Sequence, residues 1–392
     1  MKEKKKISLF SLYYLLTYFI YAFSISQYLP YLTSIGYNAT EKSILLSIIA
    51  IAGMGFQWVF GYLSDKWKTV KKILLVAFIL YAIASYFLYS NETKIFVYHA
   101  LAMAMSGGLY HLAFDLTDSW VMESGEYVNR YYSSIRAFGS IGWGIGCLVV
   151  SQLIIAFGYI SIGISMLLSS VLATAILLLL PDANKALNEG QASLQITEIK
   201  ALLTDKIYLL AILTLFMLFA INVLNIYAVV EKIIALGGGN LEVSYKNTIQ
   251  ATIEIPMFFL GAKLAKKYSS YTFIGISAAA FGIQFMLIAL TNQVSVIILL
   301  CFFQCLTYPF MLMAGKQLMY DLSPAHMKSS GQLFAFSILN CFSAFIIPLI
   351  SGVITNQFGI NACIYFGVFL AVVTLCLRFV LIQVAKGREI PL

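Results

Sequence analysis

Runs of about twenty apolar residues, separated by short polar breaks, recur from one end of the chain to the other. A helix of that length crosses roughly 30 Å of hydrocarbon. The breaks place the runs at 8–34, 43–64, 71–90, 95–122, 131–157 and 159–181, then at 206–230, 244–266, 270–291, 293–319, 329–356 and 359–384. This pattern predicts an all-α membrane protein with twelve transmembrane helices. Residues 182–205, which follow Pro181, form the longest polar stretch and separate six spans from six. The expected organisation is an N-terminal bundle over 1–181, a central cytoplasmic loop over 182–205 and a C-terminal bundle over 206–392. Two such pseudo-symmetric bundles suit a carrier with a central polar site.

Composition agrees with the pattern: 61% of the 392 residues are hydrophobic and 11% charged, outside the range of soluble domains. The basic opening residues run straight into the apolar segment 7–32. That segment is too long for the core of a signal peptide, and no small-residue cleavage site follows it, so it reads as the first span.

The net charge of +8 tells more about orientation than about partners. With both termini in the cytoplasm, eighteen of the 25 Lys and Arg fall at the inner ends of spans. Outer loops receive Lys42, Lys94, Lys232 and Lys246, while Arg136, Lys316 and Arg378 lie within spans. The positive-inside rule therefore predicts cytoplasmic termini in a cell membrane, and no nucleic-acid partner is needed to explain the charge. All six cysteines fall inside predicted helices and read as small buried residues. With three scattered histidines, they predict neither a metal site nor a cofactor.

Candidate chemistry is confined to a few intramembrane residues. An arginine in mid-span is costly in lipid, so Arg136 should face the bundle interior and meet a carboxylate such as Asp118. Its fixed fork of donors suits solute hydroxyls, while Asp118 can accept from them. Trp143 lies two turns from Arg136, where its ring can stack on a flat apolar surface. The plainer readings are an interhelical ion pair for Arg136 and Asp118 and a packed ring for Trp143. His111, Asp115 and Asp118 follow one another at i, i+4 and i+7 on one helical face. Two acids so close resist ionising together, which makes the group a candidate proton site. Asp115 can equally serve as an ordinary hydrogen-bonding neighbour. Glu254 is the one acid left in mid-span in the second half, beside Pro256, whose missing N–H marks a bend.

The loop Gly61-Tyr-Leu-Ser-Asp65-Lys66 with Lys71-Lys72 resembles the loop between helices 2 and 3 of the major facilitator superfamily. A glycine there allows close helix approach, and an aspartate can pair or cap across the bundle's end. The stretch after span 8, Gly-Ala-Lys-Leu-Ala-Lys-Lys, echoes it without the aspartate. The segment Ser134-Ile-Arg136-Ala-Phe-Gly139-Ser-Ile-Gly142-Trp143 resembles helix 5 of the oligosaccharide:proton symporter family, to which the lactose permease belongs. In that family an acid on helix 4, an arginine on helix 5 and a tryptophan two turns further clamp the sugar. The matching positions here are Asp118, Arg136 and Trp143.

The second half departs from the family. Its charged pairs between helices 7, 10 and 11 correspond to Asn222, Asn225, Cys301 and Asn340, so both members of each pair are neutral. The proton-handling positions on helices 9 and 10 read Gln284, Gln304 and Thr307, none of which titrates near neutrality. The resemblance implies a monomeric sugar transporter working by alternating access. Asn222, Asn225, Gln284, Gln304 and Asn340 would bind solute, and Glu254, Asp115, Asp118 or His111 would carry the proton. The alternatives are an uncoupled facilitator, a nucleoside permease or an exporter. A membrane sensor would need more than these short tails, and an intramembrane enzyme would need catalytic motifs the chain lacks.

Overall fold

The computed structural model describes residues 3–183, 202, 204–265, 267–324 and 328–386. The central loop expected at 182–205 lies almost wholly outside these residues. The first helices are α1 (Glu3–Ile25), α2 (Tyr28–Ser34), α3 (Ala39–Lys66), α4 (Lys71–Ser90) and α5 (Phe96–Met122). After them come α6 (Glu126–Arg130), α7 (Tyr132–Phe157), α8 (Ile160–Leu179), α9 (Lys206–Ala235) and α10 (Asn240–Ala265). The last are α11 (Ser270–Leu290), α12 (Val294–Leu300), α13 (Tyr308–Leu322), α14 (Lys328–Phe358) and α15 (Ile360–Lys386).

Among the described residues, ten segments are long and apolar enough to cross a membrane. The helices α5 and α10, at 27 and 26 residues, have the length but carry more polar side chains. Those two are where the candidate acids lie. The protein is a multi-pass, all-α membrane protein.

The chain forms two compact units, Met1–Gly190 with Gly237–Ile255, and Gln191–Leu236 with Pro256–Leu392. The division at Ile255/Pro256 puts the first part of α10 with α1–α8 and falls at the one residue of that helix without an N–H.

In the first unit α1 packs along α7, α3 along α5, and α4 against α5 and α8. The α1–α7 contact depends on glycine, because a methyl group at Gly142 would strike the carbonyl oxygen of Leu15 on the facing backbone. Gly61 differs from the close-approach reading: a methyl group there meets nothing within 4 Å. The first span is also two helices. Pro30 has no N–H to give the Ser26 carbonyl, and the chain turns at Ser26 and Gln27 before α2 begins.

In the second unit α9 packs on α14 and α15, and α11 on α13 and α15. The expected single span over 293–319 is broken. Between α12 and α13 residues Cys301–Cys305 form a 3-10 turn, and Pro309 opens α13. Such a break frees carbonyls that lipid cannot satisfy. Two α11 side chains splint it: Gln284 Nε2 donates to the Leu300 carbonyl at 3.2 Å, and Ser277 Oγ to the Thr307 carbonyl at 2.9 Å. Lys232 is in the last turn of α9 and buried, rather than in a loop. Its ammonium donates to the carbonyls of Ile288 and Ala289, where the end of α11 presents its negative dipole.

Candidate functional site

The site in the first unit is built from α1, α5, α7 and the start of α10. Tyr14 on α1 donates from its hydroxyl to Asp118 Oδ1 at 2.6 Å. A bond that short to a carboxylate is charge-assisted and fixes one of its two oxygens. Tyr18, one turn on, stacks on Tyr14 with ring centroids 5.5 Å apart. The guanidinium of Arg136 lies 4.5 Å from the centre of the Tyr18 ring and 5.3 Å from that of Phe114. Aromatic faces hold a cation through their quadrupole, most strongly where water is excluded. The arginine fork and the aspartate are thus presented on one aromatic platform.

Along α7, Arg136, Ser140 and Trp143 fall on one face. Ser140 Oγ donates to Glu254 Oε1 at 3.3 Å. Thr248 Oγ1, on the same part of α10, donates to the Gly144 carbonyl at 2.9 Å. The start of α10 therefore lies along α7, and Glu254 stands one turn from Arg136. Trp143 is half-buried on the same face.

Asp115 and His111 have different neighbours. Gln57 on α3 donates to Asp115 Oδ2, which matches the plainer reading of this acid. The His111 side chain lies against α3 at Gly53, where an added methyl group would come within 3.1 Å of its Cβ and 3.3 Å of its ring. The α5 face thus splits between neighbours, Asp118 toward α1 and Asp115 and His111 toward α3.

In the second unit, Asn225 Nδ2 donates to Gln304 Oε1 at 3.2 Å, one turn beyond Cys301. Asn225 and Gln284 are 1% and 0% exposed, and Asn225 Oδ1 and Gln284 Oε1 have no hydrogen-bond partner in the protein. Buried acceptors of this kind call for a donor. Asn222 is half-buried and Asn340 exposed at the surface of the unit. Among the described residues no three His, Cys, Asp or Glu side chains gather as metal ligands.

In the helix 2–3 loop, Lys66 lies 6.0 Å over the Tyr62 ring, and the Asp65 side chain is outside the described residues. The carboxylate that organises this loop is Asp182. Its Oδ1 accepts from the N–H groups of Val70 at 3.1 Å and Lys71 at 2.9 Å, and its Oδ2 from the Thr69 hydroxyl. In return Lys71 Nζ donates to the carbonyls of Leu178 at 2.8 Å and Leu180 at 2.6 Å. The ends of α4 and α8 cap each other.

Two groups were hidden from sequence reasoning. Asp182 looked like the first residue of a polar loop. Tyr14 and Tyr18 counted toward an apolar span, although their spacing of four residues, continued at Tyr21, was a usable signal.

Comparison with known proteins gives the chain its relatives. Residues 11–366 match the MFS_1 like family. The melibiose permease of Enterobacter cloacae subsp. cloacae is 32% identical over 152 residues, 37% of this chain and 35% of that protein. The chain thus spans about a third of the length of that relative. The nucleoside transporter NupG superposes with a TM-score of 0.79 at 16% identity, over 98% of this chain and 99% of that one. A bacterial homologue of the human lysosomal transporter Spinster gives 0.72 at 10% identity, over 97% and 96%. At such identities the structural likeness is one of fold.

Proposed function

The chain belongs to the MFS_1 like family of the major facilitator superfamily, and from that membership we propose that it carries a sugar-like, polyhydroxylated solute across the cell membrane. Two six-helix bundles, 1–181 and 206–392, would expose the site to each side in turn, with both chain termini in the cytoplasm. One chain supplies the whole pathway.

The observation that carries the reading is the cluster Tyr14–Asp118 with Arg136 over Tyr18. Arg136 donates to solute oxygens, Asp118 accepts from solute hydroxyls with its unfixed oxygen, and Trp143 covers an apolar sugar face. Asn222, Asn225, Gln284, Gln304 and Asn340 would add neutral hydrogen bonds to the solute. The 32% identity to a melibiose permease supports the same class of solute. Glu254, one turn from Arg136 along α7, is the leading proton carrier, and Asp118, Asp115 and His111 are the others.

A nucleoside is the second reading. Amide side chains hydrogen-bond a base as readily as a sugar, and the NupG fold likeness is in keeping with it. Thermal unfolding with melibiose or uridine, on wild type and on Arg136→Ala, tests both. The proposal expects one ligand to raise the wild-type midpoint and leave the variant unmoved. Equal stabilisation of both proteins would remove Arg136 from the site.

A further inference from the structure

Of the two arginines within spans, Arg136 belongs to the solute cluster and Arg378 is in the second unit, on α15. About two turns separate it from the end of that helix at Lys386. Its side chain lies across α11. Nε donates to the Tyr271 carbonyl, and a methyl group at Gly275 would come within 2.9 Å of Nε and 3.0 Å of Cζ. The guanidinium therefore rests in a notch that is open because residue 275 is glycine.

That contact leaves most of the arginine's donors over. A guanidinium carries five N–H groups and no acceptor, and the Tyr271 carbonyl takes one of them. Among the described residues, no carboxylate pairs with Arg378 and no other acceptor meets it. Asp321 of α13, the acid that acts on Tyr271, instead accepts from Gln317 Nε2 through both oxygens at 2.9 Å. An interhelical bond alone needs no charge at this place. A glutamine would donate to a carbonyl as well, without the cost of a cation in a span.

The surroundings are those of a membrane surface. Gly282 meets Ala371 and Gly367 meets Phe285, so α11 and α15 run antiparallel, and the start of one lies by the end of the other. Gly275 is about 8 Å from the start of α11 at 1.5 Å per residue, a depth from which an arginine reaches the headgroup layer. Phe379 and Val380, next to Arg378, are exposed apolar residues on the outside of α15. Lys267, just ahead of α11, and Lys386, at the end of α15, are both exposed at this end of the unit.

We propose that Arg378, held in the Gly275 notch, binds the phosphate of an anionic phospholipid. The free edge of the guanidinium offers two parallel N–H groups, which fit two oxygens of one phosphate. Nε stays on the Tyr271 carbonyl, so the fork is oriented before the lipid arrives. The acyl chains lie on the apolar outside of α15. The charges of Lys267 and Lys386 favour an acidic headgroup over a zwitterionic one. A free phosphate ion shares the headgroup's chemistry but not its chains. The site stands whatever solute the protein carries, and it involves no residue proposed to bind solute.

Native mass spectrometry of the delipidated protein in a neutral detergent tests it, by titration with dioleoyl phosphatidylglycerol, dioleoyl phosphatidylcholine or inorganic phosphate. The wild type should hold its first phosphatidylglycerol at least about tenfold more tightly than phosphatidylcholine. Arg378→Gln removes the charge, whereas Gly275→Ala keeps it and pushes the flexible guanidinium out of the notch. Both should bring the two lipids to within about twofold of each other in Kd. Gly275→Ala decides the matter if Arg378→Gln loses the helix content of the wild type. Equal affinity of the wild type for the two lipids, or an unchanged preference in the folded variants, would overturn the site. A preference lost in Arg378→Gln and kept in Gly275→Ala would overturn the notch, since bare charge would then suffice. Inorganic phosphate displacing phosphatidylglycerol from the wild type would overturn the lipid in favour of a free anion.

Discussion

Replacing Tyr14 with phenylalanine removes one hydroxyl and leaves the stacked ring on Tyr18 in place. The lost bond is the 2.6 Å donation to Asp118 Oδ1, which holds the carboxylate beside the Arg136 platform. Hydrogen bonds to charged groups contribute about 1.5–3 kcal/mol, which sets an upper limit of roughly 10- to 150-fold on the affinity change. Asp118 is only half-buried, so water can replace part of the donation. The expected loss is therefore at the lower end, about tenfold in Kd. Tyr13→Phe is the control: its hydroxyl is beside Thr117 rather than Asp118, and its ring packs edge-on against Trp120 at 5.6 Å. Calorimetric titration of the purified protein with the stabilising solute gives both constants. A wild-type Kd for Tyr14→Phe, or equal weakening by both substitutions, would refute the positioning of Asp118 by Tyr14.

Gly142→Ala should destabilise the first unit by about 1–3 kcal/mol, because the new methyl group meets backbone at Leu15 and cannot rotate away. Gly55→Ala, whose methyl group meets nothing within 4 Å, should stabilise by up to about 1 kcal/mol. Unfolding of the two variants in detergent, side by side, checks the opposite signs. Asp182 lies outside the spanning helices and supplies a pH dependence. Burial pushes its carboxyl up, but hydrogen bonds from Thr69, Lys71, Ala183 and Val70 outweigh it and hold the group below its ordinary value. A depressed carboxyl contributes stability above its unfolded pKa and loses it as pH falls through the folded one. Asp182→Asn should therefore be less stable than wild type by about 0.5–2 kcal/mol at pH 7, and the gap should close as pH falls below the ordinary carboxylate range. Melting curves between those limits measure the convergence, and a constant gap would show that the charge is not what caps α4.

Much of this architecture was legible in the chain, and the failures have physical causes. Span limits follow from hydrocarbon thickness, so Lys71 and Ile360 begin helices where the apolar runs begin. The break at Cys301–Cys305 was not legible, because its residues are as apolar as their neighbours and the splinting groups, Gln284 and Ser277, are on another helix. Arg136 and Asp118 stood out because charge is costly in lipid. Tyr14, Tyr18 and Tyr21 did not, since a tyrosine serves a membrane span as ring or as hydroxyl, and only the fold shows which neighbours its oxygen meets. The reciprocal capping by Asp182 and Lys71 needed contacts more than a hundred positions apart.

The central claim is that the Asp118–Arg136 cluster grips a solute that the protein moves across the membrane. Uptake of labelled melibiose and of labelled uridine into proteoliposomes, by wild type and by Arg136→Ala, tests it most directly. The account predicts saturable uptake of one of them by wild type and, for the variant, uptake no faster than in empty vesicles. Equal saturable uptake by both proteins would contradict it.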